Sequence, residues 1–90
     1  MLVLPAELTH DLAAACCRML VQAIRSTPDS AAVADASALS KFDSSALAVL
    51  LECRREALAL GKSFSVKQLP ERLRALAALY GVAELLPAAP

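Results

Sequence analysis

The sequence predicts a small α/β domain in which helices cover a mostly parallel sheet. Three observations carry this prediction: a chain of 90 residues has room for one core, 58% of its residues are hydrophobic, and strand-like and helix-like segments alternate along it. Strands joined through helices run parallel with right-handed crossovers, so this alternation indicates a layered α/β structure. We therefore interpret residues 1–90 as a single domain.

The first strand and the first helix lie in the N-terminal part of the chain. Met1 to Leu4 is an apolar run closed by Pro5, and it is too short to nucleate a helix, so it predicts a buried or edge strand. The helix begins after Thr9, a favourable N-cap, and continues to about Arg25. Turn-forming residues at 26–30 end it. Its predicted buried stripe consists of Leu12, Cys16, Met19, Leu20 and Ala23.

The middle of the chain predicts a central strand and the longest helix. Residues 31–36 are small and apolar apart from Asp35, which favours a short strand. A loop from Ser37 to Phe42 leads to a helix from Ser44 to about Leu60, which Gly61 terminates. The predicted buried face of this helix contains Leu47, Leu50, Leu51, Arg54 and Leu58, extended by Val49, Cys53, Ala57 and Leu60. An arginine on such a face snorkels, pairs with an acid or marks the rim of a partner site, and we favour a structural role.

The last third of the chain predicts a third strand and a third helix. Residues 64–68 alternate as a strand does, and Pro70 occupies the first position of the helix. Gly81 ends this helix, and the apolar pair Leu85-Leu86 precedes a tail at 87–90 that we expect to be loosely ordered. The predicted buried side of the helix consists of Leu69, Leu73, Leu76, Ala77 and Tyr80, while Glu71, Arg72 and Arg74 face water.

Charge and cysteine content argue against several classes of protein. Nine basic and nine acidic side chains cancel, which removes the positive field that nucleic-acid binding depends on. No apolar run approaches the ~18 residues of a membrane span, and the N-terminus lacks the basic head of a signal peptide. Cys16, Cys17 and Cys53 are odd in number and poorly spaced for disulfides, so Cys16 and Cys53 are interpreted as small buried hydrophobes. We expect a cytoplasmic protein with neither a nucleic-acid partner nor direct membrane insertion.

The triplet Asp43-Ser44-Ser45 is the leading candidate for a functional site. It opens the longest helix, so capping of free backbone N–H groups would by itself account for all three residues. The triplet also follows a central strand, and loops after strands are where α/β proteins usually meet their partners. A phosphoryl group on Ser44 would lie over the helix N-terminus, which stabilises negative charge, although Asp43 would oppose it.

The sequence gives little support for a catalytic function. Asp35 and Asp43 could form a carboxylate pair, but no second cluster of acids or histidines accompanies them, and His10 is the only histidine. Ser44 lacks an activating base, and two glycines are too few for a nucleophile elbow or a phosphate-binding loop. We predict no enzymatic activity, no metal and no cofactor.

The residues around the triplet resemble a known family. The segment from Ala34 to Leu51, which reads ADASALSKFDSSALAVLL, resembles the signature of STAS domains, the fold shared by sulfate transporters and anti-sigma-factor antagonists. In that signature a strand ending in Asp leads to an Asp-Ser/Thr-Ser/Gly-Gly-Leu helix start. The run from Leu76 to Leu86, LAALYGVAELL, is similar to the C-terminal helix of the STAS subunit of the Mla phospholipid-transport system, the small cytoplasmic companion of an ABC ATPase.

The resemblance implies a STAS-like fold and roles for particular residues. Ser44 aligns with the phosphorylatable Ser or Thr of the sigma-factor switch proteins, and in the Mla-type subunit this position lies at the contact with the ATPase. Asp43, Ser45 and Asp35 form the supporting loop. Two departures stand out: Ala46 replaces the usual glycine, and the family's N-terminal strand hairpin is shortened. A sheet edge exposed in this way invites a homodimer through strand pairing.

Three functions remain as hypotheses from the sequence. The leading one is an accessory subunit that binds the ATPase of a Mla-type lipid-transport ABC complex. The alternative is an anti-sigma-factor antagonist that a kinase switches by phosphorylating Ser44. The third is a domain that binds a nucleotide or another small ligand at the same loop.

Overall fold

The structure, a computed structural model, describes residues 1–89 and confirms the predicted α/β class. Within these residues it contains three helices and two short sheets, one of three strands and one of two, in which every strand pairing is parallel. The elements in chain order are β1 (Leu2–Val3), β2 (Glu7–Leu8), α1 (His10–Ser26), β3 (Ala31–Asp35), β4 (Lys41–Phe42), α2 (Ser45–Ala59), β5 (Ser63–Lys67) and α3 (Glu71–Leu79), followed by a single 3-10 turn at Ala83–Leu85. None of the helices within residues 1–89 is long and apolar enough to cross a bilayer.

The main sheet has the order β1, β3, β5, and both pairings are parallel. Ala34 is the central register point, because it lies between Leu2 of β1 and Val66 of β5. No strand within residues 1–89 pairs with the other side of β1. That free edge is two residues long, and a homodimer through it stays a prediction.

Two further strands were not predicted. β2 follows Pro5, and β4 lies at the end of the segment that the sequence indicated as a loop from Ser37 to Phe42. The two strands pair in parallel, with Glu7 opposite Lys41 and Leu8 opposite Phe42. Strands of two residues are too short to show an alternating pattern, so only the pairing across the fold reveals them.

The helices bury faces that differ in part from the predicted ones. In α1 the buried residues are Cys16, Leu20 and Ile24, whereas the predicted Leu12 and Met19 are 43% and 57% exposed. In α2 the fully or nearly buried residues are Ala46, Leu47, Val49, Leu50, Cys53 and Ala57. Leu58 and Leu60, predicted on the buried face, are each 47% exposed. The helix is apolar on almost every side, so packing against α1 and β5, rather than periodicity, selects its buried face.

The C-terminal segment also corrects two predictions. Tyr80 was expected on the buried side of the third helix, but α3 ends at Leu79 and Tyr80 is exposed at its C-cap. The tail was expected to be loosely ordered, yet the Val66 N–H donates to the Pro87 carbonyl at 2.8 Å and the Ala89 N–H donates to the Val66 carbonyl at 2.9 Å. Ala88 therefore forms an isolated parallel bridge with Val66 of β5, and Pro90 lies outside the described residues.

The cysteines serve as packing groups. Cys16 and Cys53 are buried and Cys17 is half-buried, and all three thiols are free. Burial raises the pKa of the Cys53 thiol to about 12, and burial likewise raises the pKa of Cys16 and Cys17. A thiol with such a pKa stays protonated at neutral pH and is a poor nucleophile. The interpretation of Cys16 and Cys53 as small buried hydrophobes is confirmed.

Candidate functional site

The Asp43-Ser44-Ser45 triplet lies where β4 passes into α2, next to the start of α1. β4 is held against the chain before α1, since the N–H groups of Ser40 and Lys41 both donate to the Ala6 carbonyl at 2.9 and 3.0 Å. The pairing of β2 with β4 continues this contact. Each of the two strands leads within two residues to a helix start, so the N-termini of α1 and α2 come together at the triplet.

The Asp43 carboxylate joins the two helix starts. One oxygen, Oδ1, accepts a hydrogen bond from the Ser45 N–H at 2.8 Å, and the other, Oδ2, accepts one from the His10 N–H at 3.0 Å. These bonds lower the pKa of Asp43, the His10 N–H having the larger effect and the Ser45 N–H the next. Free N–H groups at a helix start need such acceptors. The capping role predicted for the triplet is therefore performed by Asp43, and for both helices.

The Ser44 hydroxyl is left free by this arrangement. Ser44 is exposed, has helical dihedral angles (φ −63°, ψ −16°) and makes no capping hydrogen bond through its side chain. Its carbonyl already accepts a hydrogen bond from the Leu47 N–H at 3.1 Å, so the backbone is fixed. Within residues 1–89 the hydroxyl has no hydrogen-bond partner. The Ser44 side chain thus lies at an ordered helix start and makes no hydrogen bond to the described fold.

Ala46 does not require the flexibility of a glycine. It lies in the first turn of α2, is completely buried, and has no positive φ. A small side chain is needed at this position because the residue packs into the core, and alanine provides that with a better helix propensity than glycine. The departure from the family pattern at this position leaves the local geometry of the helix start intact.

Asp35 is placed in a separate turn. Its Oδ1 accepts a hydrogen bond from the Ser37 N–H at 2.9 Å. The pKa of Asp35 is lowered first by the Ser37 side chain, then by the Ser37 N–H, and to a smaller extent by the charge of Lys67, its partner in the sheet register. No hydrogen bond joins Asp35 to the Asp43 triplet among the described residues. Asp35 shapes the loop after β3 and makes no hydrogen bond to Ser44 within the described residues.

The sequence did not predict two features at this edge of the molecule. The guanidinium carbon of Arg72 lies 5.2 Å from the centre of the Phe42 ring, so a residue interpreted as part of a solvated face stacks on the neighbour of the triplet. Gln68, in the turn between β5 and α3, has φ 54°, the left-handed region that non-glycine residues rarely occupy. No local spacing links Phe42 with Arg72, and only the tertiary fold brings them together.

The remaining chemistry of the surface is limited. Within residues 1–89 no group of three or more His, Cys, Asp or Glu side chains is arranged to hold a metal ion. A shallow cavity of about 240 Å³ lies elsewhere, beside α1, and is lined by Pro5, Glu7, Leu12, Ala15, Cys16 and Met19. The triplet itself lies at an exposed helix start directly after Phe42, on whose ring Arg72 stacks.

The parallel sheet, the three helices and the exposed serine at the start of α2 define a STAS-like α/β domain. Residues 1–87 match the family model described as "Mlab, STAS domain". The chain belongs to the STAS domain family. STAS domains are in general regulatory or interaction domains and not enzymes. No curated protein matches the chain.

Proposed function

We propose that this STAS domain is a cytoplasmic accessory subunit that binds the ATPase of a Mla-type lipid-transport ABC complex through the surface around Ser44. The observation that carries the proposal is the exposed Ser44 hydroxyl, which the fold holds in place but does not use. Two resemblances support it: the family description names Mlab, and the run from Leu76 to Leu86 is similar to the Mla-type C-terminal helix. The direct test is co-purification with an ATPase encoded beside this protein. A well-folded preparation that never associates with that subunit would contradict the proposal.

Replacement of Ser44 by Glu is expected to weaken the complex with the ATPase at least ~tenfold. The added carboxylate is large and charged at the centre of the proposed contact, where an unpaired charge is costly to desolvate. The fold should tolerate it, because the start of α2 stabilises negative charge and the hydroxyl that is lost makes no intramolecular bond. Calorimetric titration would measure the affinity, and thermal unfolding would show whether the melting temperature is retained.

Ser30→Glu is a matched control. Ser30 is also exposed, but it lies at the start of β3, at the opposite end of the strands from the triplet. This variant adds the same charge and should bind the ATPase with the wild-type affinity. If Ser44→Glu and Ser30→Glu bind equally well, Ser44 is not at the contact. If both weaken binding equally, overall charge rather than the Ser44 surface controls the association.

The second candidate is an anti-sigma-factor antagonist switched by phosphorylation of Ser44. The free, exposed hydroxyl at a helix start favours it, because a kinase can reach the oxygen and the helix N-terminus stabilises the product charge. Intact-mass analysis after incubation with a cognate kinase should then show one added phosphoryl group in the wild type and none in Ser44→Ala. An unchanged mass, under conditions that phosphorylate a control substrate, would remove this candidate.

A further inference from the structure

A second side chain at this edge of the fold is held in position for binding. Arg72, in the first turn of α3, lies with its guanidinium 5.2 Å from the centre of the Phe42 ring. Phe42 is half-buried and packs against the core, so the ring is a fixed platform. It directly precedes Asp43 in the chain. The stacked pair therefore connects the segment directly before the triplet with the first turn of α3.

Stacking leaves the hydrogen-bonding edge of the guanidinium open. An arginine on an aromatic ring uses the flat face of its planar group, and its N–H donors point outward in that plane. No ion pair or hydrogen bond to Arg72 forms within residues 1–89, although Glu71 is its neighbour in sequence. The ring restricts the rotamers of a long side chain, so less conformational entropy remains to be lost on binding. These properties are typical of the arginines that dominate protein interfaces.

The acids at this edge do not compete for Arg72. The Asp43 carboxylate accepts hydrogen bonds from the His10 and Ser45 N–H groups. The Asp35 carboxylate accepts from Ser37 and is opposite Lys67 in the sheet. Each acid thus has donors of its own, whereas the donors of Arg72 have no acceptor in the described chain. On this exposed surface the donors are free to bind an acceptor of a partner, and among protein side chains a carboxylate matches the planar fork.

We infer that Arg72, stacked on Phe42, is a specificity-determining contact of the Ser44 surface and binds a carboxylate side chain of the partner protein. This inference rests on the proposed function in one respect, namely that the partner docks at the Ser44 surface. It extends the contact from the start of α2 to the first turn of α3. It also specifies the chemistry of the partner, which presents an Asp or Glu at the position facing Phe42.

The test uses the complete chain and the ATPase encoded beside it, with three variants. Arg72→Met keeps an unbranched apolar stem over Phe42 but removes the donors, and it should lower the affinity about tenfold to a hundredfold. Arg72→Lys keeps the charge but loses the planar fork, and it should recover only a small part of this loss. Arg74→Met, two positions further along the same exposed helix start, is the matched control and should bind within about twofold of wild type. Wild-type affinity should fall with added salt more steeply than that of Arg72→Met.

The outcomes separate the inference from the proposed function. If the wild type binds the ATPase and Arg72→Met binds as tightly, the inference is wrong while the proposed function stands. Full recovery of affinity in Arg72→Lys would also overturn it, because a point charge would then suffice. A loss in Arg72→Met accompanied by a large fall in melting temperature would indicate a purely structural role for the stack. A wild-type chain that does not bind the ATPase removes the proposed function and the inference together.

Discussion

Truncation of Leu50 to alanine is expected to lower the free energy of unfolding by about 2–5 kcal/mol. Leu50 is completely buried in the middle of α2 and belongs to the core cluster. Removal of its side chain loses buried apolar surface and leaves a cavity that close-packed neighbours fill only in part. Small domains are stable by roughly 5–15 kcal/mol in total. One truncation at this position therefore removes a large part of the stability.

Leu58 on the same helix provides the matched control. Its side chain is 47% exposed, so Leu58→Ala should change the free energy of unfolding by less than ~1 kcal/mol. Urea unfolding followed by circular dichroism would measure both variants on one scale. Equal losses in the two variants would show that α2 buries the face predicted from its sequence pattern instead of the face found in the structure.

The contrast between Leu50 and Leu58 illustrates how far the sequence predicts this fold. Short apolar runs and turn-forming residues were enough to place β1, β3 and β5 and the three helices, because these signals are local. The parallel arrangement followed from the alternation of strands and helices. The buried face of α2 did not follow, since apolar residues of several types occur on most sides of the helix and the choice among them depends on contacts with α1 and β5.

The candidate site likewise has features that the sequence predicts and features that it does not predict. The triplet at 43–45 could be found from its position after a strand and at a helix start. The residue that caps the helix could not be found from the sequence, because the second donor to Asp43 is the His10 N–H, 33 residues away in the chain. The stack of Arg72 on Phe42 is a second contact between distant segments. Local patterns thus indicate where the site lies, while tertiary packing decides what each side chain does there.

Replacement of Asp43 by Asn is expected to lower the melting temperature by roughly 5 °C at neutral pH. The charged carboxylate accepts N–H groups from the starts of two helices, and charge-assisted hydrogen bonds are stronger than those of a neutral amide. An asparagine side chain has one carbonyl oxygen, so one of the two donors loses its acceptor. Asp29→Asn is the control, because the side chain of Asp29 makes no hydrogen bond within the described residues.

The loss caused by Asp43→Asn should depend on pH in a defined direction. Hydrogen bonds from His10 and then Ser45 lower the pKa of Asp43 in the folded protein, so folding favours the ionised carboxylate. The stabilisation is therefore fully present above the unfolded pKa, for which the ordinary value is 3.8, and is lost as the pH falls through the lower folded pKa. Melting temperatures of the wild type and the variant should differ by a constant amount from about pH 7 to pH 5 and converge at more acidic pH.

The difference in melting temperature between wild type and Asp43→Asn at each pH isolates the effect of Asp43, because other carboxylates also lose stabilising contacts at low pH. Asp35 and Glu52 have pKa values lowered by Ser37 and Arg55, so the wild type alone should lose stability for several reasons. A difference between wild type and Asp43→Asn that persists unchanged below the folded pKa would contradict capping by the carboxylate. Ser44→Ala should match the wild type at every pH, since its hydroxyl makes no bond in the fold. Stability would then depend on Asp43 and partner binding on Ser44, although the two residues are adjacent.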